Sequence, residues 1–476
     1  MMDVVIGLEV HVQLKTKSKI FCSCSAEYTK DIPPNTHICE VCTGQPGALP
    51  VFNKKVLEYG ILLALATKGE ISPVIRFERK NYFYPDLPKS YQISQYRAPL
   101  SLGGFIELKS GKKIRLERIH MEEDAGKLVH VAGETFVDFN RAGVPLLEIV
   151  TRPDISSPDE LVEFLMLLRE TVRYLGISDG DMEEGSLRCD ANISLKPEGA
   201  SELGTKVEIK NINSFKFVKR ALEYEIERQS EILKSGGTIV QETRLFNEAK
   251  AITESMRTKE EAHDYRYFPD PDLVPIEITE ELVNRVKENL VELPIEKYRR
   301  FMEEYGLNEE RASILKSDLY LADFFEKTVK LAGNPEKVAN WLTVEITGIS
   351  RDLGIELRDS GLTPEKFSSL LKLLFDGKIS RTVAKSVLKK TFETDEDPIQ
   401  IVEREGLMQS EEDLGPLIEE ILKTHGEQVR EYCRGKEKLI PFFIGQAMKK
   451  TRGKANPVKL KKLFEERLED ACKSMD

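Results

Sequence analysis

The residues able to do chemistry recur on the polar sides of alternating segments. In VVIGLEVHVQL (4–14), Val4, Ile6, Leu8, Val10 and Val12 take one face, and Gly7, Glu9, His11 and Gln13 take the other. A carboxylate and an imidazole two apart on a strand project side by side. SLRCDANISL (186–195) sets Leu187, Cys189, Ala191, Ile193 and Leu195 against Arg188, Asp190, Asn192 and Ser194. TKVEIK (205–210) sets Val207 and Ile209 against Lys206, Glu208 and Lys210. RIHMEEDAGK (118–127) adds His120, Glu122, Glu123 and Asp124. KNYFYPDLPKSYQISQY (80–96) adds aromatic rings with Lys80 and Lys89. Acids and imidazoles with lysines nearby suit a phosphate bound through Mg²⁺, which takes oxygen ligands while Lys and Arg take phosphate oxygens. Spacing alone carries this to a metal–phosphate site on a sheet and no further. The bland alternative is a sheet face that is only solvated. No G-x-x-x-x-G-K-[ST], no G-x-G-x-x-G after a strand and no G-x-S-x-G is present, which excludes a P-loop, a dinucleotide fingerprint and a nucleophile elbow.

A second constellation is the cysteine pattern. Cys22 and Cys24, then 14 residues, then Cys39 and Cys42 form C-x-C…C-x-x-C. Each close pair supplies one edge of a tetrahedron, and the loop brings the edges together, as a structural zinc requires. Four unligated thiols are the alternative. His37 is a substitute ligand or a loop residue. Cys189, Cys433 and Cys472 read as isolated thiols.

These groups need strands to carry them, and residues 1–293 read as strand-rich. Period-two alternation recurs at 4–14, 112–121, 186–195 and 205–212. One helix is signalled by Ser157 as N-cap, Pro158 at N1 and Glu160 completing a capping box. Leu161, Phe164, Leu165, Leu168, Val172 and Leu175 form its apolar face, and Gly176 ends it. A further helix is expected over about 216–235. From Pro294 the pattern turns helical, with Thr363-Pro364 starting one helix and Gly377 stopping it. ETDEDP (393–398) marks a boundary before a last helical segment, 404–476. The fold class is therefore α+β: a mixed, mainly antiparallel sheet domain with a zinc-binding loop (1–293), an all-α domain (294–403) and an α-helical tail (404–476).

Composition bounds the rest. The chain has 476 residues, 40% hydrophobic and 32% charged, with a formal charge of −11. That excludes a uniformly basic nucleic-acid coat but not a local patch. No apolar run reaches membrane-span length, so no membrane association is expected. The start, MMDVVIGLEV, reads as no signal peptide, and seven cysteines are too sparse for a secreted disulfide scaffold. A reducing, cytoplasmic setting is expected. Between Lys423 and Lys462, twelve Lys/Arg face only three acids. IGQAMKKTRGKANP (444–457) reads as a loop placing cations around two glycines. Such clustering attracts nucleic acid by counterion release.

Several long motifs in order carry a resemblance: IGLEVHVQL (6–14), KNYFYPDLPKSYQISQY (80–96), HMEEDAGK (120–127), EEGSLRCDANIS (183–194), KNINSF (210–215), QETRLF (241–246) and DYRYFPDPDLVP (264–275). Nearly continuous over 3–275, and looser through Trp341 and Ile346 to a YqeY-type tail, the chain resembles the GatB family, the B subunits of the tRNA-dependent amidotransferases. The resemblance implies an ATP- and Mg²⁺-dependent cradle domain with a kinase-like site, a helical domain and a tail that grips tRNA. It implies phosphorylation of the side-chain carboxylate of Glu on tRNA(Gln) or Asp on tRNA(Asn). Amidation then uses ammonia from a glutaminase partner of the amidase type, the A component of the complex, and a small C component braces a heterotrimer. Glu9, His11 and Glu123 match family positions around the metal, and Glu122 could serve instead because the strand phase slips near Arg118. Lys80, Asp190 and Lys210 fall in matching motifs near the phosphates or the aminoacyl end. The four cysteines match the zinc-bearing version. The rival reading is a non-catalytic, zinc-containing tRNA-binding scaffold.

Overall fold

The computed structural model describes residues 2–29, 31–210, 212–258, 265–408, 414–451, 455 and 457–473. Contacts divide the chain into two compact units, Met1–Glu296 and Lys297–Asp476.

The first unit is built on one large sheet. Its principal strands are β1 (Met2–Gln13), β4 (Lys113–Glu123), β5 (Pro145–Thr151), β6 (Leu187–Pro197), β7 (Val207–Lys210), β8 (Glu242–Asn247) and β9 (Ile252–Thr258), between which a small hairpin, β2 (Glu78–Asn81) and β3 (Tyr91–Ser94), forms its own sheet. The order across the large sheet is β9-β8-β7-β6-β1-β5-β4, extended at the β4 edge by Ser101–Leu102 and Glu70–Ile71. Neighbours along the principal strands are antiparallel except β7 and β8, which run parallel. A parallel pair needs a crossover, and helix α3 (Phe215–Lys234) supplies it between them.

The alternation read from sequence holds. Ile6, Leu8, Val10 and Val12 are buried on one face of β1, as are Leu187, Cys189, Ala191 and Ile193 on β6 and Val207 and Ile209 on β7. They share one core with α1 (Lys54–Ala66), α2 (Pro158–Tyr174) and α3 through Ile61, Phe164, Leu168, Val218 and Leu222. Burying such side chains is worth roughly 1.5–3 kcal/mol each. The α2 start is capped as expected: Ser157 Oγ accepts the Glu160 N–H at 3.2 Å. The reciprocal half of the box is shifted by one residue, since Glu160 Oε2 accepts from Ser156 N and from Lys112 Nζ.

One irregularity in β4 matters for the site. Val150 faces Arg118 but Thr151 faces Leu116, so Glu117 is an extra residue in the ladder. Before the bulge the even residues Ile114 and Leu116 point inward; after it the odd residues Ile119 and Met121 do. His120 and Glu122 therefore turn to the polar face, and Glu123 turns to the other side.

The second unit is helical. Thr363 caps a helix at Pro364–Phe375, and Gly377 follows it at φ +70°. ETDEDP does not separate packed bodies: it turns the chain from Arg381–Thr394 into Pro398–Arg404, which pack together. Beyond it, Ile418, Phe443, Leu460 and Phe464 form a separate hydrophobic cluster in the tail. Two expectations change here. Residues 444–450 lie within a helix, Ile440–Lys450, and not in a loop, while Arg452, Gly453, Lys454 and Asn456 lie outside the described residues. Cys433 and Cys472 are joined in a disulfide, since two helices distant in sequence bring their Cα atoms to 5.3 Å. Among the described residues no helix is long and apolar enough to cross a membrane.

Candidate active site and metal centres

The polar face of the large sheet lines a cleft of about 500 Å³ that includes Glu9, His11, Lys80, His120, Glu148, Asp190 and Lys210. Strand register explains the gathering. His120 on β4 faces Glu148 on β5, which faces His11 on β1, which faces Arg188 on β6. One step along, Glu9 faces Asp190, and Lys210 reaches Asp190 Oδ2 at 2.6 Å. Cross-strand neighbours on one face stand about 5 Å apart, so the row brings its side chains into contact.

At the centre, His11 Nε2 lies 3.1 Å from Glu122 Oε1 and 3.4 Å from Glu148 Oε2. His120 Nε2 lies 3.0 Å from Glu148 Oε2, and Ser94 Oγ donates to Glu122 Oε2 at 3.2 Å. The ligand atoms of His11, Glu122 and Glu148 lie within 4.8 Å of one another. Burial works against charge on His11, but the carboxylates of Glu148 and Glu122 outweigh it and push its pKa up to about 10. Burial raises both acids, yet the two histidines hold Glu148 well below the usual carboxylate range, and His11 and Lys80 hold Glu122 below it. Both acids therefore stay ionised around that imidazolium, and a divalent ion displacing its proton would meet two carboxylates and a free imidazole nitrogen. Two carboxylates and one imidazole in a hard, oxygen-rich pocket fit a divalent ion of the Mg²⁺ kind.

Around this centre, Lys80 approaches from β2, its Nζ 4.9 Å from the Tyr265 ring centroid. Burial lowers its affinity for a proton, but Glu122 and neighbouring groups raise its pKa overall, so it remains an ammonium. Tyr96 and Tyr267 stack at 4.6 Å along the same wall. Glu9 accepts from Asn192 Nδ2 at 3.2 Å beside the three-residue set, and is not part of it.

Of the two neighbouring acids left open by the sequence, Glu122 joins this set and Glu123 stands apart from it. The structure does not bring it to His11. Its carboxylate accepts from Lys89 Nζ at 2.6 Å and from Ile93 N at 2.8 Å, tying β3 to β4 on the opposite side. Lys89 is thereby also withdrawn from the cleft. The bulge at Glu117 gives the physical reason: after it, residue 122 and not 123 shares His11's face. Sequence pattern also misses Glu148. A signal for it exists: one acid inside the apolar run VPLLEIV (144–150), where a charge is costly without a partner.

The cysteine set closes as the spacing implies. The sulfur atoms of Cys22, Cys24, Cys39 and Cys42 lie within 4.8 Å of one another, and no oxygen ligand is needed to complete four donors. Cys39 N donates to Cys42 Sγ at 3.2 Å. The hydrogen bond from Cys22 brings Cys42 down to about 5, while burial pushes Cys24 up to about 11. Four soft donors with one thiolate already favoured fit zinc. His37 takes no place there; its Nδ1 lies 3.1 Å from the Glu27 carbonyl oxygen.

Comparison with known proteins agrees. A family model described as the GatB/GatE catalytic domain matches residues 4–284, and one described as the GatB domain matches 323–468. The B subunit of an aspartyl/glutamyl-tRNA(Asn/Gln) amidotransferase from Persephonella marina is 52% identical over 470 residues, 98% of this chain and 99% of the relative. Proteins of the same description from Thermodesulfovibrio yellowstonii and Thermoanaerobacter pseudethanolicus are each 50% identical, over 96% and 98% of this chain and 97% and 99% of theirs.

Proposed function

The chain belongs to the GatB family, and from that premise we propose that it is the amide-forming component of an aminoacyl-tRNA amidotransferase. It uses ATP to phosphorylate the side-chain carboxylate of Glu on tRNA(Gln), Asp on tRNA(Asn), or both. Ammonia released from glutamine by the glutaminase partner then displaces phosphate, and a small third protein completes a cytoplasmic heterotrimer.

The observation that carries this reading is that His11 and Glu148 line one cleft with Lys80 and Lys210, and that buried Glu122 meets the two of them from behind. A carboxylate resists amidation because its leaving group would be oxide; phosphorylation makes phosphate the leaving group. His11, Glu122 and Glu148 would hold Mg²⁺, which when bound neutralises charge on phosphoryl oxygens. Lys80 and Lys210 present ammonium groups to the same oxygens. Asp190 orients Lys210 through their 2.6 Å contact. Glu9, fixed by Asn192, borders the ion set and orders what enters it. The cysteines would hold zinc as a structural tie, since a site with four thiolate ligands keeps no open position for chemistry. The tail over 404–476, through its stretch 423–462 with twelve Lys and Arg against three acids, would grip the tRNA backbone.

The test is [γ-³²P]ATP with mischarged tRNA and the assembled complex. Phosphate transfer that needs mischarged tRNA, and that is lost in Glu122→Gln, is expected. Transfer unchanged in that variant would leave the scaffold reading. Deleting 404–476 is expected to weaken tRNA binding while glutaminase activity of the partner persists.

A further inference from the structure

Lys19 is among the largest side chains with no exposure at all. Lysine is almost never so placed unless paired. Its ammonium donates to the His37 carbonyl at 2.7 Å and the Phe139 carbonyl at 3.3 Å, and approaches Cys42 Sγ at 3.6 Å. Among the described residues no carboxylate forms an ion pair with it. Two carbonyl dipoles do not balance a buried unit charge, and Cys42 Sγ is the ionisable group that the ammonium reaches. The sulfur set has the matching excess: four thiolates around a divalent ion leave two negative charges in a half-buried pocket. The fit is close. A Cβ added to Gly143, itself at φ +84°, would stand 3.4 Å from Lys19 Cδ and 3.5 Å from Cys42 Cβ.

We propose that Lys19 is the charge-balancing partner of the four-cysteine site, a positioning residue whose ammonium offsets the negative charge of the sulfur set and so tightens its hold on the metal. The inference rests on the zinc reading. It adds a residue that does not touch the ion. Because Nζ also bonds His37 and Phe139, the same group ties the loop bearing Cys39 and Cys42 to the segment leading into β5.

The experiment loads the full chain with Co²⁺ and follows the thiolate-to-cobalt absorption and the rate of metal transfer to a chelator. Lys19→Met and Lys19→Gln are expected to release metal about 10–100-fold faster with a weakened band, and Lys19→Arg to recover most of the difference. Gln keeps a donor for the carbonyls without the charge. Release from Lys19→Gln at the wild-type rate would therefore reduce Lys19 to a structural tie and overturn the proposal. Should these variants not fold, amine acetylation of the native chain decides: Lys19 is expected to become at least several-fold more reactive when the chelator strips the metal, and unchanged reactivity overturns it. A wild-type chain that takes up neither Co²⁺ nor Zn²⁺ would overturn the zinc reading itself, a result distinct from normal uptake with an indifferent Lys19.

Discussion

The two candidate ion-binding constellations of the first unit are assembled in opposite ways. The cysteine set is gathered within residues 22–42, by one loop whose ends lie close together. The His11–Glu122–Glu148 set is collected from three strands, and only the register β1·β5·β4 brings them together. The first is a property of spacing, the second of pairing. A local site can be lost or replaced without disturbing the sheet, whereas the distributed one is inseparable from the core on its reverse face.

That contrast can be broken or sharpened by experiment. The largest effect is expected for Glu148→Gln in the assembled complex. Amide formation should fall on the order of a thousandfold, because charge stabilisation of several kcal/mol is removed, while tRNA affinity holds; near-normal amidation would end the claim that β5 supplies a ligand. Next comes His120→Asn. The imidazole holds Glu148 in place, so Mg²⁺ affinity by calorimetry should drop about 10–100-fold. Unaltered affinity would confine the site to the three ligands. Glu123→Gln should leave Mg²⁺ affinity as it was, and cost about 1–3 kcal/mol in denaturant unfolding from the weakened bond between the buried carboxylate and half-buried Lys89. A fall in Mg²⁺ affinity comparable to that of His120→Asn would reinstate residue 123 at the ion. Least of all should change on stripping metal from the cysteines: initial phosphorylation rates stay level at low temperature while the thermal midpoint falls. An immediate loss of rate would show that the two sites are not separable.

Much of this is legible in the sequence, and the misses have definite causes. Alternation gives the inward faces of β1, β6 and β7 correctly, because a half-buried strand writes its exposure into every second residue. Polar-face alternation and the family motifs together give Glu9, His11, Lys80, Asp190 and Lys210 as cleft residues. Alternation cannot choose between Glu122 and Glu123, since a bulge inverts the phase and leaves no local mark. Glu148 hides inside an apolar run. In the tail, the helix Ile440–Lys450 absorbs Gly445, which composition alone suggests as a loop, because its apolar residues have a cluster to join. The bond between Cys433 and Cys472 is invisible for the opposite reason: nothing near either cysteine names a partner 39 residues away.

The bulge at Glu117 has a consequence for how this sheet tolerates insertion and deletion. Flattening the bulge while keeping Glu117 in the ladder would make β4 regular and turn every side chain from there to its end to the opposite face. Met121 and Glu123 would then be presented to the cleft, and His120 with Glu122 would be driven into the apolar core. Loss of Glu117 itself would leave residues 118–123 paired and facing as they are, so the bulge is the place in this strand where one residue can be removed without exchanging the two faces.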